Sequence, residues 1–197
     1  MISRRATPLN LAGLALVVLC LVAAPAGAAI SLVPTWIKSD PASKSVRLDV
    51  AADWNDNNAA AECAACGNLN GYFRGSVTIL IPAGWRVTID YHVIGDKHRH
   101  SLMLTKPYDP ADLPLRVAES EAVDGVQSRS AIAGLAPGEN DQLHFTSKTG
   151  SYWLISAKGT DLITGVWIRL DVKDGLKKAE LQFNDDWVRR GRPAGRM

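Results

Sequence analysis

Residues 76–93 read SVTILIPAGWRVTIDYHV, and this stretch decides the class of fold. It begins with a β-branched, apolar run, is broken by Pro82-Ala83-Gly84, and then alternates apolar and polar residues from Trp85 to Val93. β-Branched residues favour strands, and such alternation is typical of a strand with one buried face. Because a short turn joins the two runs, the stretch predicts a β-hairpin.

Further short runs along the chain have the same strand character. They are residues 46–50, 101–104, 142–145, 152–155 and 165–172. Turn signals such as Pro137-Gly138 separate them, and the sequence contains no long amphipathic helical pattern. The pattern predicts an all-β fold, either an antiparallel sandwich or a small barrel. The long polar stretch 106–136 predicts a short helix or an Ω-type loop between strands.

Strand direction predicts which loops meet at one end of the molecule. If residues 46–50 run upwards, the tight turn at 82–84 lies at the bottom, and the connections 53–75 and 95–100 lie at the top. The loop 156–164 is expected at the top as well. We call this end the upper pole. The prediction brings the two cysteines of the first connection close to the histidines of the second.

The N-terminus predicts export. Arg4 and Arg5 precede an apolar run over residues 11–24, and the small residues Ala26-Gly27-Ala28 follow it. This is the order of a signal peptide, and the run is shorter than the ~20 apolar residues of a comfortable bilayer span. We therefore predict a signal peptide over residues 1–28 and a periplasmic or secreted protein. An uncleaved anchor is the alternative, and the twin-arginine or general export route stays open.

The predicted cleavage sets the net charge of the mature protein and the start of its domain. The chain has 22 Lys and Arg and 20 Asp and Glu, so removal of Arg4 and Arg5 leaves 20 against 20. A neutral chain lacks the basic excess that nucleic acids require, so a nucleic-acid partner is not expected. We predict one domain over residues 29–173 and a basic tail over 174–197. The mature protein is not expected to span a membrane.

Cys63 and Cys66 are the two cysteines expected at the upper pole, and their residue type alone suggests two kinds of chemistry there. In an oxidising compartment such a pair is expected to form a disulfide. The same Cys-x-x-Cys spacing also suits two thiolate ligands of zinc or Cu(I). His98 and His100, two residues apart in an extended segment, are expected to present both rings to one side and to complete a metal site. Lesser candidate ligands are Met103, His92 and His144.

Other polar and aromatic clusters are given structural interpretations. Asp53 and Asp56 alternate with Asn55 and Asn57-Asn58, a composition that suits turn formation better than calcium binding. Trp36 and Trp54 fall outside the clear strand interiors and are candidates for a contact surface. The sequence contains no Gly-x-Ser-x-Gly, no His-Glu-x-x-His and no phosphate-binding loop, so an enzyme is not expected.

Five segments together resemble the sulfocyanins, a branch of the cupredoxins. They are Ile81-Pro82-Ala83-Gly84-Trp85, His100-Ser101-Leu102, Gly134-Leu135-Ala136-Pro137-Gly138, the run from Thr149 to Ile155, and Gly165-Val166-Trp167-Ile168. The likeness spans roughly residues 44–172. It implies a cupredoxin-like Greek-key β-sandwich and a copper-related, electron-transfer ancestry.

The resemblance also implies which positions would hold copper. The family's first histidine falls on His100, its cysteine on Ser156, its second histidine on Asp161 and its methionine on Val166. From Ser156 to Arg196 the sequence has no Cys and no His. Blue copper needs the thiolate, so a type 1 site is not expected.

Two functional hypotheses follow. The first is an exported, copper-related protein that binds or handles metal through His100, His98, Cys63 and Cys66 without a blue-copper centre. The alternative is a metal-free structural or accessory subunit of a periplasmic or respiratory assembly. In both, the expected partner is a periplasmic or membrane-associated protein.

Overall fold

Short strands are the main regular secondary structure of the described residues. The structure, a computed structural model, describes residues 35–53, 67–94 and 97–184. Its strands are β1 Ile37–Asp40, β2 Ser45–Ala52, β3 Val77–Pro82, β4 Arg86–Val93, β5 Met103–Thr105, β6 Asn140–Thr146, β7 Gly150–Ile155, β8 Trp167–Lys173 and β9 Glu180–Phe183. The one α-helix among the described residues is α1, Asp161–Thr164.

The strands form two sheets whose apolar faces meet. The four-stranded sheet has the order β1-β2-β4-β6, and the five-stranded sheet has the order β5-β7-β8-β3-β9. Leu48 and Ile89 from the first sheet and Ile79, Leu154 and Ile168 from the second are fully buried. Burial of each such side chain stabilises the fold by roughly 1.5–3 kcal/mol. The predicted all-β sandwich is confirmed.

The predicted hairpin over residues 76–93 is wrong, because its two strands belong to different sheets. β3 pairs with β8 and β9, whereas β4 pairs with β2 and β6. The turn between them is held by Ser147 at the end of β6. The Ser147 hydroxyl accepts a hydrogen bond from the Trp85 amide at 2.9 Å and donates one to the Pro82 carbonyl at 2.7 Å. The turn therefore carries the chain across the sandwich.

The sequence predicted antiparallel pairing, but two of the strand pairs are parallel because the chain crosses between the sheets. β2 and β4 run in the same direction in one sheet, because β3, which returns between them, lies in the other. β3 and β8 form the second parallel pair. The remaining ladders among the described strands are antiparallel.

The sandwich extends past residue 173, the predicted end of the domain. β9 pairs antiparallel with β3, and its Leu181 is buried opposite Ile79. This late strand therefore supplies core surface beyond residue 173. Residues 1–34, with the predicted signal peptide, and residues 185–197 lie outside the described residues. Within the described ranges, no helix has the length and hydropathy needed to cross a membrane.

The segment 106–136 covers the outer face of the five-stranded sheet. It contains two short 3-10 turns, Glu119–Glu121 and Val123–Gly125, as its sequence suggested. Beneath it Trp153 and Trp167 stack with ring centroids 3.8 Å apart, and Tyr108 packs edge-on against Trp153 at 5.8 Å. This second cluster buries the aromatic residues of β7 and β8 that point away from the main core.

Candidate functional site at the upper pole

Strand direction brings three distant parts of the chain together at the upper pole. Asp53 follows the end of β2, His100 follows β4, and Asp161 lies in the loop after β7. The parallel β2 and β4 both end there. The contacts of His100 with both aspartates confirm that the three loops meet, as strand direction predicted.

His100 is the centre of the pole. Its side chain is 4% exposed, and both ring nitrogens contact carboxylates. Nε2 lies 2.8 Å from Asp53 Oδ2, and Nδ1 lies 2.8 Å from Asp161 Oδ2. The backbone is fixed as well, because His100 and Leu135 exchange hydrogen bonds of 3.2 and 2.7 Å. The imidazole is therefore held on both edges and has no free nitrogen.

Asp161 joins His100 to the position that the resemblance assigns to the copper-binding cysteine. Ser156 is fully buried, and its hydroxyl donates a hydrogen bond of 2.6 Å to Asp161 Oδ2. The same carboxylate oxygen therefore contacts both Ser156 Oγ and His100 Nδ1. Asp161 is the first residue of α1, which ends at Gly165 in a left-handed conformation, with φ of 113°. This short turn points the carboxylate back into the pole.

A second layer of hydrogen bonds fixes Ser156. Its Oγ accepts from the Ser101 amide at 3.0 Å, and the Ser101 hydroxyl in turn accepts from the Ala157 amide at 2.9 Å. The Ser156 amide donates to the Val166 carbonyl at 2.9 Å. Buried polar groups are costly unless they are satisfied, and here each has a partner. Backbone amides and a carbonyl of the fold therefore hold Ser156 and Ser101 in place.

Two residues that flank segment 54–66 lie against the imidazole. Asp53 adopts a left-handed conformation with φ of 58°, which Asp tolerates better than most residues. Gly67 packs so closely that an added Cβ would lie 2.9 Å from His100 Cε1 and 2.8 Å from Val166 Cγ2. Glycine is required here for close approach.

The two carboxylates keep His100 protonated. Burial alone would lower the pKa of His100, but hydrogen bonds and charges from Asp161 and Asp53 outweigh that effect and raise the pKa to about 9. One imidazolium therefore faces two aspartates at neutral pH. A protonated imidazole has no lone pair to offer a metal ion.

Tyr91 lies beneath the same charges. Its side chain is fully buried, and burial raises the pKa of its phenol, with the negative charges of Asp161 and Asp53 acting in the same direction. Among the described residues its hydroxyl has no hydrogen-bond partner. Tyr91 is therefore a neutral phenol in the floor of the pole.

The side chains present do not fit the copper centre that the resemblance implies. Such a centre needs a thiolate, two imidazoles and a weak thioether. The corresponding groups are the hydroxyl of Ser156, the imidazole of His100, the carboxylate of Asp161 and the side chain of Val166. A copper ion joining His100 Nδ1 to residue 156 would have to lie between these atoms, where Asp161 Oδ2 already contacts both.

The predicted metal-binding set is placed only in part. His98 is exposed whereas His100 is buried, and no described contact joins the two side chains. Cys63 and Cys66 lie outside the described residues, and both their disulfide and their metal-binding role stay predictions. Within the described part of the chain, no three His, Cys, Asp or Glu side chains are grouped to hold a metal ion.

The three lesser candidate ligands lie away from the pole. Met103 is buried in the cluster under segment 106–136. His92 pairs with Asp49 at 3.2 Å, and His144 contacts Thr88 Oγ1 at 3.2 Å, both on the outer face of the four-stranded sheet. His92 and His144 occupy outward-facing positions of β4 and β6, and the apolar/polar alternation of these strands in the sequence predicts those positions.

Sequence reasoning missed the roles of Asp53 and Asp161. Asp53 was assigned to turn formation, and Asp161 was noted only as the position of a lost histidine. Both carboxylates contact the ring nitrogens of His100, for which the sequence had predicted a metal-binding role. The signal that could have revealed the network was the joint presence of an acid at position 161 and a hydroxyl at position 156.

Comparison with known proteins gives one family match. A family model described as the sulfocyanin (SoxE) domain matches residues 37–178, most of the chain. No curated protein sequence matches the chain significantly.

Several solved structures are similar in fold at low identity. Rusticyanin from Thiobacillus ferrooxidans is 15% identical with a TM-score of 0.42, covering 70% of this chain and 86% of that one. Reduced auracyanin from Roseiflexus castenholzii is 13% identical with a TM-score of 0.44, covering 66% and 98%. Auracyanin A from Chloroflexus aurantiacus, described as a "blue" copper protein, is 18% identical with a TM-score of 0.42, covering 66% and 99%.

Proposed function

The chain belongs to the sulfocyanin (SoxE) family, and we propose that it is an exported, metal-free member that serves as an accessory or interaction protein. In this proposal an ion-pair network closes the pole at which the family resemblance places copper. The protein is then neither a blue-copper electron carrier nor an enzyme. Its partner is a periplasmic or membrane-associated protein of an electron-transfer assembly.

One observation carries the proposal. Asp161 Oδ2 contacts His100 Nδ1 at 2.8 Å and Ser156 Oγ at 2.6 Å, so a carboxylate oxygen fills the space between the two positions that a copper ion would have to join. Asp53 holds the other ring nitrogen. A carboxylate, a hydroxyl and an imidazolium satisfy one another without a metal ion.

Copper loading of the mature protein, residues 29–197, tests the proposal. The reduced protein is incubated with Cu(II) or Cu(I), desalted, and assayed for metal per chain and visible absorption. We expect a colourless protein that retains no copper at the pole, and a His100→Gln variant that retains as little as the wild type. Intense visible absorption that is lost in His100→Gln would refute a metal-free pole.

A second candidate function, metal handling through Cys63, Cys66 and His98, is supported by a different observation. Asp53 and Gly67, the residues on either side of segment 54–66, both lie against His100. The same loading experiment separates the candidates. Metal retained by the wild type but not by a Cys63→Ser/Cys66→Ser variant supports metal handling, whereas equal and negligible retention by both supports the metal-free proposal.

Export is proposed from the N-terminus, with cleavage after Ala28. Expression in a bacterium with an outer membrane, followed by fractionation and intact-mass measurement, tests it. We expect a periplasmic protein that begins at Ala29. A full-length protein in the membrane fraction would instead indicate an uncleaved anchor.

The accessory role is tested by cross-linking in native cells. We expect the protein to be captured with a defined periplasmic or membrane-associated partner. Recovery as a lone monomer from both fractions after cross-linking would contradict the accessory role.

A further inference from the structure

An open groove lies on the outer face of the four-stranded sheet, and its lining includes none of the residues of the upper-pole network. It has a volume of about 360 Å³, within the range typical of small-molecule sites. Its lining comes from β1, β2, β4 and the residue before β1. The residues are Trp36, Lys38, Arg47, Asp49, Asp90 and His92.

The polar floor of the groove is already charge-balanced. Arg47 pairs with Asp90, and His92 pairs with Asp49 at 3.2 Å. Gln142 donates a further hydrogen bond of 2.8 Å to Asp90. With histidine neutral, the two cations Lys38 and Arg47 match the two carboxylates, so the lining has no net formal charge. The lining as a whole therefore favours neither an anionic nor a cationic ligand.

The paired groups retain hydrogen-bonding capacity. The described contact of Arg47 with Asp90 uses Nε, and a guanidinium has further N–H donors on its terminal nitrogens. The described contact of Asp49 with His92 uses Oδ1, and the Asp49 side chain is 63% exposed. The spare donors of Arg47 and the spare acceptors of Asp49 therefore lie two residues apart, on the same outward face of β2.

Trp36 forms an aromatic wall beside this floor. It is half-buried, and it packs against Tyr72 with ring centroids 6.3 Å apart. Tyr72 in turn meets Phe183 of β9 edge-on at 6.0 Å. Trp36 therefore presents an aromatic surface to the groove and is packed against Tyr72 as well.

We propose that this groove binds a neutral polyhydroxylated ligand, namely a sugar ring. The C–H face of the ring stacks on Trp36, and its hydroxyl groups bond to Arg47 and Asp49. A hydroxyl both donates and accepts, so it can satisfy the guanidinium of Arg47 and the carboxylate of Asp49, which lie two residues apart on one face of β2. The site shares no residue with the upper pole and does not depend on the function proposed there.

Calorimetric titration of the mature protein tests the groove. The probes are the neutral trisaccharides maltotriose, cellotriose and tri-N-acetylchitotriose, with trigalacturonate as the charged comparison. We expect saturable binding of at least one neutral probe at millimolar or lower concentration, and weaker binding of trigalacturonate. Both Trp36→Ala and Asp49→Ala should weaken the binding at least tenfold, the second without touching the aromatic cluster.

Asp171→Ala is the matched control, because Asp171 is a strand carboxylate on the five-stranded sheet, paired with Lys173 at 3.8 Å. It should leave the affinity unchanged. The proposal is overturned if no neutral probe binds up to 10 mM (roughly the upper limit of useful affinities), if trigalacturonate binds more tightly, or if Asp49→Ala binds as the wild type does.

Discussion

Two histidine–carboxylate contacts in this molecule use the same chemistry in opposite surroundings. His100 at the upper pole is 4% exposed and contacts Asp53 and Asp161, each at 2.8 Å. His92 on the outer face of the four-stranded sheet is 41% exposed and contacts Asp49 at 3.2 Å. Water solvates the second pair whether or not it forms, whereas the groups of the first are largely shielded from water and bond to one another and to Ser156. Burial, and not residue type, makes the first contact structural.

The difference has an energetic consequence. Exposed ion pairs contribute roughly 0–1 kcal/mol, since water screens them and the side chains lose freedom on pairing. Removing one partner of a buried pair costs about 3–5 kcal/mol, because a charge is left uncompensated. The upper pole and the outer face should therefore respond to the same substitution by very different amounts.

The largest expected effect is a change of chemistry at the buried pair. In a Ser156→Cys/Asp161→His/Val166→Met variant, Asp53 still holds Nε2 of His100, which leaves Nδ1 to a metal ion. We expect copper to bind one per chain with intense visible absorption, measured by metal analysis and spectroscopy. Adding His100→Gln should abolish the colour. A colourless triple variant would show that the loops at the pole have lost the geometry of a copper site.

Loss of the imidazole should be the largest stability effect. His100→Gln leaves Asp53 and Asp161 without a cation, so we expect a loss of about 3–5 kcal/mol in the free energy of unfolding, measured by urea denaturation. An Asp53→Asn/His100→Gln/Asp161→Asn variant removes all three charges and should recover much of that loss. If the fully neutral variant is less stable than His100→Gln, orphaned charge is not the cause.

Stability should fall at alkaline pH through His100. Its pKa rises from 6.5 to about 9 on folding, so its contribution is complete below about 6.5 and is lost as pH rises through about 9. A shift of this size corresponds to about 3 kcal/mol. Urea midpoints measured from pH 6 to 10 should decline for the wild type. The decline over this window should be much smaller in His100→Gln, and an unchanged slope would assign it to other groups.

The smallest effect is expected on the outer face. His92→Ala and Asp49→Ala should each change the free energy of unfolding by less than about 1 kcal/mol, since both side chains are largely solvated. Denaturation in low and high salt gives the measurement. A loss comparable to that of His100→Gln would remove the contrast between the two contacts.

The sequence predicted the strands well and their partners poorly. Local alternation is visible along β2, β4 and β8, so these strands were found. The turn at 82–84 reads as a hairpin because no local signal states which sheet the next strand joins. That choice depends on Ser147, 62 residues away from Trp85, and distant contacts of this kind leave no short-range pattern. β9 was missed because its few apolar residues follow a polar stretch.

At the candidate site, the sequence predicted which loops meet but not how they bond. Strand direction alone placed residues 53, 100 and 156–164 at one pole. The spacing of the resemblance then identified Ser156, Asp161 and Val166 as changed positions. It could not show that Asp161 bends back onto His100, because that depends on one turn of helix and a left-handed glycine. The sequence showed that copper ligands are missing, but it did not show the hydrogen-bond network that replaces them.

The network at the pole also has a kinetic meaning. It ties His100 to residues 47 positions before it and 61 positions after it. Contacts between such distant positions can form only when the strands that carry them have already paired. Interactions that form after the folding transition state hardly affect the folding rate and mainly slow unfolding. We therefore expect substitutions at the pole to speed unfolding and to leave the folding rate nearly unchanged.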